Sequence, residues 1–295
     1  MQKAPFFIPV LAVVGPGLIG GSVAAALKKA GCVGRVIGVS RQSSTRNAAL
    51  RLGLIDEVAD LTAATSQADV VLLAAPVRAT RVLLQQMEPH LRPHTVITDA
   101  GSTKADVLQT AIEVLADKAE QFVPGHPIAG AEKAGPEAAF AELYQDRTTI
   151  LTPHKTNTSY AKGLVIALWE ACGARVLLMS AAEHDRVLAS VSHVPHFLSS
   201  VYMWQVASAI DADKRLQVAG SGFRDFTRIS AGSAEVWRDI FLSNKEAVLA
   251  ELQELRQAFE QAEAALRDAD ETALYDFLEK AALARRLWGR RSGLE

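Results

Sequence analysis

The feature that most constrains the fold of this chain is an apolar run that leads without a break into glycines. Residues 8–22 read IPVLAVVGPGLIGGS, and an alanine-rich stretch, Gly21–Ala30, overlaps their end. The apolar run predicts a buried strand, and the alanines predict a helix. Gly15, Gly17 and Gly20 lie between the two with the G-x-G-x-x-G spacing. In this context the spacing indicates a loop that binds the pyrophosphate of a dinucleotide at the helix N-terminus.

Further short apolar runs follow along the first half of the chain, separated by helix-like stretches. They lie at residues 36–39, 68–75, 95–98, 122–123 and 149–151. Near-continuous apolar strands that alternate with helices are typical of a parallel sheet covered on both faces. We therefore predict an α/β fold that begins with a doubly wound, Rossmann-type dinucleotide-binding domain.

The second half of the chain changes character. Strand signals end after Val176–Met179, and long helical patterns take over. We place a domain boundary near Ser180, with the dinucleotide-binding domain over residues 1–180 and an all-helical domain over residues 181–295.

Two long helices are predicted at the end of the chain. Ser243 and Glu246 have the spacing of a capping box, and a last helix is predicted over Glu271–Leu287. The first of these helices carries a narrow apolar seam of the kind that pairs with another helix, either in the same chain or in a second copy. Its members are Val248, Leu252, Leu255, Phe259, Ala262 and Leu266.

The composition excludes several classes of function. Lys and Arg are spread along a chain with a net charge of −2, whereas nucleic-acid-binding proteins usually present a basic face. No apolar run is long enough to span a membrane. The two cysteines, Cys32 and Cys172, lack metal-ligand spacing, so we predict no metal site and a reduced, cytoplasmic setting.

The stretch GVSRQSSTR, residues 38–46, bears on which dinucleotide binds. An NAD site usually has an acidic side chain here that binds the ribose 2′-hydroxyl. Ser40 stands at that position, Arg41 follows it, and no carboxylate occurs before Asp56. The stretch therefore favours NADP over NAD, unless its arginines are ordinary surface residues. The predicted cofactor-binding residues are Gly15, Gly17, Leu18, Ile19, Gly20, Ser40, Arg41, Thr45, Arg46, Ala75 and Pro76.

Several later segments carry polar residues that are candidates for substrate binding or catalysis. They are TDAGSTK at 98–104, PGHPIAG at 124–130, EHDR at 183–186, SHVPHFLSS at 192–200 and GSGFRDFTRIS at 220–230. In PGHPIAG, His126 stands between Gly125 and Pro127, which predicts that it lies in a rigid turn with a constrained backbone. Together with GPGLIGGS and Trp237, these segments resemble the TyrA dehydrogenases, which act on prephenate, arogenate or both. The resemblance runs over nearly the whole chain, and GHPIAG and DFTRIS are its most specific motifs.

The resemblance implies oxidative decarboxylation of a cyclohexadienol on the route to tyrosine, with hydride transfer to the nicotinamide. It assigns His126 as the base that accepts the ring-hydroxyl proton, and Ser102 as a partner of that hydroxyl or of the histidine. It assigns Arg228 to a substrate carboxylate, for which a guanidinium fork is suited. The other substrate-binding residues that we predict are His196, His193, Glu132, Asp225 and Trp237.

The resemblance also implies a homodimer that shares its helical domains and a small-molecule substrate in the cleft between domains. It leaves prephenate and arogenate open, although the NADP-type loop favours arogenate use.

Some of these residue assignments have an alternative explanation. Asp225 could instead hold Arg228 as its ion-pair partner, and His193 could be a buried, hydrogen-bonded residue. His193 and His196 have a spacing compatible with a metal, but no Cys or carboxylate cluster completes a site. We place His184 outside the site, as a helix-capping residue.

Two other functions compete with this reading. One is a β-hydroxyacid-type dehydrogenase, although Lys214 and Lys245 lack the motif that accompanies its catalytic lysine. The other is a nonenzymatic NADP-binding sensor, which would bind the cofactor without turnover.

Overall fold

The computed structural model describes residues 6–131 and 133–292, except for the side chains of residues 291 and 292. The first part of the chain forms a six-stranded parallel sheet in the order β3-β2-β1-β4-β5-β6. Its strands are β1 Ile8–Val14, β2 Val33–Val39, β3 Glu57–Val58, β4 Val70–Leu73, β5 Val96–Asp99 and β6 Phe122–Val123.

Helices connect these strands and cover both faces of the sheet. They are α1 Leu18–Lys29, α2 Ser43–Arg51, α3 Leu61–Gln67, α4 Thr80–Met87 and α5 Ala105–Leu115, and α6 Ser159–Ala171 follows later. Alternate residues of β1 enter different cores: Leu11 and Val13 pack with α1, whereas Ala12 and Val14 pack on the opposite face. This two-faced burial explains why the strands are apolar throughout, and it confirms the predicted doubly wound fold.

The strand order places the dinucleotide loop at the switch point of the sheet. After β1 the chain moves to one side of the sheet through β2 and β3, and it then returns to place β4 on the other side of β1. Doubly wound folds bind ligands at such a point, outside the carboxyl ends of the strands. Here those ends are Val14, Leu73 and, one strand further, Asp99.

A second, three-stranded sheet corrects one expectation. It contains β7 Gly125–Pro127, β8 Thr148–Leu151 and β9 Arg175–Leu178, with β8 antiparallel to β7 and parallel to β9. His126 is therefore a strand residue paired with Ile150, not a residue of a turn. The flanking Gly and Pro suggested a turn, but backbone hydrogen bonds on both sides, Ile128 N to Thr148 O and Thr152 N to Pro124 O, extend the pairing.

Short helices follow the second sheet. They are α7 Ala181–Leu188, α8 Val194–Ala207, α9 Ala212–Gln217, α10 Ser221–Thr227 and α11 Ala234–Ser243, and a π-helical turn, Ala189–His193, joins α7 to α8. These helices belong to the same compact unit as the sheets, which ends at Lys245. That unit spans both sides of the boundary predicted near Ser180, and the two-domain division stays a prediction.

The last unit, from Glu246, contains most of α12 Lys245–Arg267 and all of α13 Glu271–Ser292. The capping box predicted at Ser243 is wrong, because Ser243 is the last residue of α11 and only Asn244 separates the two helices. Within the single chain, Phe259 and Leu266 of the predicted seam are 59% and 69% exposed. No helix among the described residues has the length and apolar character needed to cross a membrane.

Candidate active site

The loop between β1 and α1 has the geometry that a pyrophosphate site needs. Gly15 has a φ of +92°, and a Cβ there would lie 2.5 Å from the carbonyl oxygen of Ala74, so only glycine fits. A Cβ on Gly20 would lie 2.5 Å from the oxygen of Gly15 and 2.6 Å from Val13 Cγ1. These two glycines let the loop, β4 and α1 approach closely.

Gly17 differs from the other two glycines because a Cβ on it would meet nothing within 4 Å. It is the N-cap of α1, and Leu18 and Ile19 are the first helical residues. Since the first amides of a helix have no intrahelical partner, this open side of the loop offers donors and a partial positive charge to an anion. The residues present therefore fit the phosphates of a dinucleotide. Ala75 and Pro76 follow β4 at the neighbouring strand end.

The carboxyl end of β2 carries the polar cluster predicted to select the dinucleotide. Arg46 Nη1 donates to the carbonyl oxygens of Ser40 at 2.6 Å and of Arg41 at 3.4 Å, which ties α2 to this strand end. The Arg41 side chain is exposed, and the Thr45 hydroxyl donates to the side-chain oxygen of Gln42, Oε1, at 3.2 Å.

The first carboxylate after β2 lies away from this strand end. Asp56 accepts a hydrogen bond from the backbone of Val36 at 2.7 Å and pairs with Lys28 at 2.7 Å. Burial raises the pKa of Asp56, but these two partners outweigh burial and hold the pKa below its usual value. Asp56 is thus committed to other groups and does not take the place of the acidic side chain of an NAD site.

A hydrogen-bonded chain of three side chains connects the second sheet to α7. His126 Nδ1 lies 2.8 Å from His184 Nε2, and His184 Nδ1 lies 2.7 Å from Asp185 Oδ1. Asp185 also accepts hydrogen bonds from the backbone amides of Lys104 and Ala105, both at 2.8 Å, at the start of α5. His184 is fully buried and Asp185 nearly so.

Asp185, at one end of this hydrogen-bonded chain, determines which imidazole nitrogens carry protons. Burial raises the pKa of Asp185, but hydrogen bonds from His184 and the two amides outweigh burial and lower it below the usual value. A carboxylate only accepts, so His184 carries a proton on Nδ1, and its neutral form presents a lone pair at Nε2. His126 then donates from Nδ1, which leaves its own Nε2 free to accept a proton.

The surroundings also keep His126 neutral. Burial lowers the pKa of His126 well below 6.5, and the positive charges that His184, Lys104 and His193 can carry lower it further. A neutral imidazole with a free Nε2 is the form that a general base requires.

His184 corrects the sequence interpretation. We expected it to cap a helix outside the site, but Ser180 caps α7 by accepting from the amide of Glu183, and His184 contacts His126. The contact joins residues 58 apart in the chain, and EHDR carries no local pattern that predicts it.

The DAGSTK segment holds the backbone next to His126 in place. Asp99 at the end of β5 accepts from the amides of Gly125 at 3.0 Å and Gly101 at 2.8 Å, and it pairs with the ammonium of Lys104. Lys104 is fully buried. Ser102 lies in this anchored loop and makes no hydrogen bond with His126 among the described residues. Sequence reasoning missed Asp99 and Lys104.

The helical side brings aromatic rings together. His196 on α8 stacks on Trp237 of α11 with ring centroids 3.5 Å apart and planes 12° from parallel. His193 lies 6.4 Å from the same indole, edge to face. Burial lowers the pKa of His196 to about 4, so this ring is neutral near pH 7.

The remaining predicted residues are exposed, as Arg228 and Asp225 are, or lie outside the described residues, as Glu132 does. Arg228 is exposed and begins a 3₁₀ turn, and the Ser199 hydroxyl holds this segment to α8 through the carbonyl of Phe226 at 2.9 Å. Asp225 is exposed and pairs with its neighbour Arg224 at 3.4 Å. Glu132 lies outside the described residues, so its predicted role stays a prediction. The described residues contain no group of three or more His, Cys, Asp or Glu side chains arranged to hold a metal.

Comparisons with known proteins decide the family. Residues 23–178 match the nucleotide-binding domain of prephenate dehydrogenase, and residues 180–280 match its dimerization domain. The chain belongs to the prephenate dehydrogenase family. A cyclohexadienyl dehydrogenase from Zymomonas mobilis is 38% identical over 84% of this chain and 87% of that protein. A prephenate dehydrogenase from Bacillus subtilis is 35% identical over 90% of this chain and 72% of its own length.

Solved structures agree with this assignment. A prephenate dehydrogenase from Aquifex aeolicus, in complex with hydroxyphenyl propionate and NAD⁺, has a TM-score of 0.90 and 31% identity over 97% of this chain and 99% of that chain. An arogenate dehydrogenase from Synechocystis has a TM-score of 0.81 and 29% identity over 95% and 99%. The predicted family, fold and nicotinamide-dependent dehydrogenase activity are confirmed. The β-hydroxyacid dehydrogenase and the nonenzymatic sensor are not favoured.

Proposed function

We propose that this member of the prephenate dehydrogenase family oxidatively decarboxylates prephenate, arogenate or both, with NADP as the preferred cofactor. The ring alcohol of the substrate loses its proton to the protein and its hydride to the cofactor. The ring carboxylate then leaves as CO2, its bonding electrons complete the aromatic ring, and the resulting phenolate takes back a proton to give the phenol. When bound, the dinucleotide supplies the hydride acceptor.

The observation that carries this proposal is the hydrogen-bonded chain from Asp185 through His184 to His126. This chain directs the free lone pair of His126 to Nε2, where it accepts the proton of the ring hydroxyl. The strand pairing of His126 with Ile150 and the hydrogen bond from Gly125 to Asp99 hold its backbone in place. The base is thus fixed before substrate arrives, which lowers the cost of reaching the reactive geometry.

The other predicted residues suit the rest of the substrate. Arg228 is the cation that we assign to a substrate carboxylate, and we assign the stacked pair of His196 and Trp237 to the part of the site that holds the substrate ring. Ser102, in the loop anchored by Asp99 and Asp185, is assigned to the ring hydroxyl.

The experiment mixes the purified protein with NADP and either substrate and follows the absorbance of reduced nicotinamide. The variant His126→Asn should bind substrate but lose about 10²- to 10⁴-fold in kcat, the usual contribution of a general base. Wild-type protein without turnover on either substrate would overturn the function, and a fully active variant would overturn the assignment of the base. Comparing kcat/KM for the two substrates then determines which one the protein prefers.

The NADP preference has its own support and test. The end of β2 offers Ser40, Arg41 and Thr45 to a 2′-phosphate, while the first carboxylate that follows in the sequence, Asp56, is committed to Lys28 and Val36. The variant Ser40→Asp restores the acidic position of an NAD site. It should lower kcat/KM for NADP and raise it for NAD. A wild-type preference for NAD would contradict the proposal.

We also propose a homodimer formed through the helical region. The exposed seam residues Phe259 and Leu266 and the family's dimerization domain support it. Sedimentation should give twice the monomer mass, and replacing both residues with Glu should give the monomer. A monomeric wild-type protein would refute this. The free cysteines Cys32 and Cys172 are in keeping with a cytoplasmic setting.

A further inference from the structure

A second histidine of the site has its proton position set by a different residue. His193, in the π-helical turn before α8, is 1% exposed. Its Nδ1 lies 3.1 Å from the side-chain nitrogen of Asn244, the residue between α11 and α12. The same nitrogen donates to the backbone carbonyl of Asp185 at 2.7 Å.

The contact with Asp185 identifies the atoms of the Asn244 amide. A backbone carbonyl only accepts, so the group that faces it is the NH2 of the carboxamide and not its oxygen. The other hydrogen of that NH2 points to His193 Nδ1, which must therefore accept. The proton of the neutral imidazole is then on Nε2, at the far corner of the ring from Asn244.

The Nε2–H group of His193 is buried and has no hydrogen-bond partner among the described residues. A buried donor without an acceptor is costly, roughly 1–3 kcal/mol, so its presence calls for a ligand. The ring lies beside the site, 6.4 Å from Trp237, and its charge would be felt by His126.

The imidazole is also neutral at physiological pH. Burial lowers the pKa of His193 to about 4; the carboxylate of Asp185 opposes this effect and the charge of His184 adds to it. A neutral His193 offers one donor whose position cannot change by titration near pH 7.

We propose that Asn244 is a positioning residue that fixes His193 as an Nε2–H donor to a carboxylate oxygen of the substrate. The inference rests on the proposed function, because the ring hydroxyl is assigned to His126 and the carboxylates are the strongest acceptors that remain. A neutral donor suits a carboxylate that must lose its charge as CO2, since it stabilises the ground state less than a cation would.

The first measurement uses wild-type protein without substrate. Imidazole ¹⁵N chemical shifts distinguish a proton on Nε2 from one on Nδ1, and His193→Gln assigns the signals. A proton on Nε2 at pH 7 supports the inference, and a proton on Nδ1 overturns it. This result does not depend on whether the protein turns over prephenate.

The second measurement moves the proton. In Asn244→Asp the carboxylate accepts from Nδ1–H of His193, so Nε2 loses its hydrogen. KM for the substrate should rise about 10- to 100-fold, the usual effect of losing a hydrogen bond to a charged group, with a smaller change in kcat. The variant Asn244→Ala, which removes the amide without adding charge, should also raise KM.

The matched control is Asn157→Asp. Asn157 is another buried asparagine whose NH2 donates to two backbone carbonyls, those of Glu120 and Phe122, both at 2.9 Å. It should lose stability as Asn244→Asp does, but keep the wild-type KM. Unchanged KM in both Asn244 variants would overturn the inference while leaving the proposed function intact. Absence of turnover in wild-type protein would overturn the proposed function and, with it, the substrate carboxylate as acceptor, whereas the proton position of His193 would still be decided by its ¹⁵N shifts.

Discussion

Replacing Asp185 with Asn tests the proton arrangement on which the proposed mechanism depends. The two side chains have the same shape, but an amide has one accepting oxygen and one donating NH2. Asp185 now accepts from His184 Nδ1 at 2.7 Å and from the amides of Lys104 and Ala105 at 2.8 Å. Oδ1 serves His184 and Lys104, and Oδ2 serves Ala105, so either orientation of Asn places its NH2 against at least one donor.

The two orientations have different consequences. If the NH2 faces the Oδ1 side, His184 must present a lone pair at Nδ1 and carry its proton on Nε2. That proton then points at His126 Nδ1, the His126 proton moves to Nε2, and the base is lost. If the NH2 faces Ala105, the proton arrangement survives and one helix amide is left without an acceptor. Each unsatisfied donor costs about 1–3 kcal/mol.

The first orientation predicts a loss of about 10²- to 10⁴-fold in kcat, the range for removing a general base. Because Asp185 does not contact substrate in this scheme, KM should change little. The assay is steady-state kinetics under saturating cofactor, with thermal unfolding measured in parallel and ¹⁵N shifts of His126 reporting its tautomer.

The matched control is Glu183→Gln, which removes a carboxylate two residues away on the exposed side of α7. It should keep wild-type kcat and stability. A folded Asp185→Asn protein whose His126 proton has moved to Nε2 but whose kcat equals that of the wild type would refute the reasoning, and so would a large loss of kcat with that proton still on Nδ1. So would a loss of activity in the control equal to that in the variant.

Three further predictions follow from the described geometry. Because the pKa of His126 is held well below 6.5, the base stays neutral on the acid side of neutrality, and kcat/KM should not begin to fall until well below pH 6.5; an acid limb at 6.5 or above would argue against this base. The pKa of His193 is about 4 in the folded state and about 6.5 in the unfolded state, so the unfolded state binds a proton first as the pH falls. The stability that is fully present above pH 6.5 should therefore decrease, by up to about 3 kcal/mol, as the pH falls toward 4. Urea unfolding at several pH values, compared with His193→Gln, measures that loss, and an equal loss in both proteins would contradict it. Gly20→Ala should cost about 1–3 kcal/mol because its Cβ meets backbone and Val13, whereas Gly17→Ala should keep stability and raise KM for the dinucleotide, because its Cβ meets only open space; the reverse pattern would refute the assigned glycine roles.

The sequence predicted the parts of the fold that have a local signal. Strand β1, the glycine loop and α1 follow one another within 22 residues, so apolar patterning and glycine spacing define them together. The helix begins at Leu18, three residues before its predicted start at Gly21, because the glycines of the loop already form its first turn. Short strands such as β5 were found because burial on both faces makes them uniformly apolar.

The contacts of the site could not be predicted in the same way. His126 and His184 are 58 residues apart in the chain, and Asn244 is 59 residues from Asp185. No period or spacing relates such residues, and their proximity depends on how α7 and α11 pack. His126 itself was expected in a turn because Gly and Pro flank it, but tertiary pairing with β8 overrode that local preference.

The proton positions of the site depend on groups that do not titrate near neutral pH. One end of the histidine chain is Asp185, whose pKa is lowered and whose carboxylate also caps the start of α5 through the amides of Lys104 and Ala105. The other control is the amide of Asn244, which has no titration at all and holds both Asp185 and His193. Burial keeps the imidazoles of His126 and His193 neutral. The same packing that orders the helices therefore specifies one histidine as acceptor and one as donor, and disturbing α5 or the α11–α12 junction should change catalysis before it unfolds the protein.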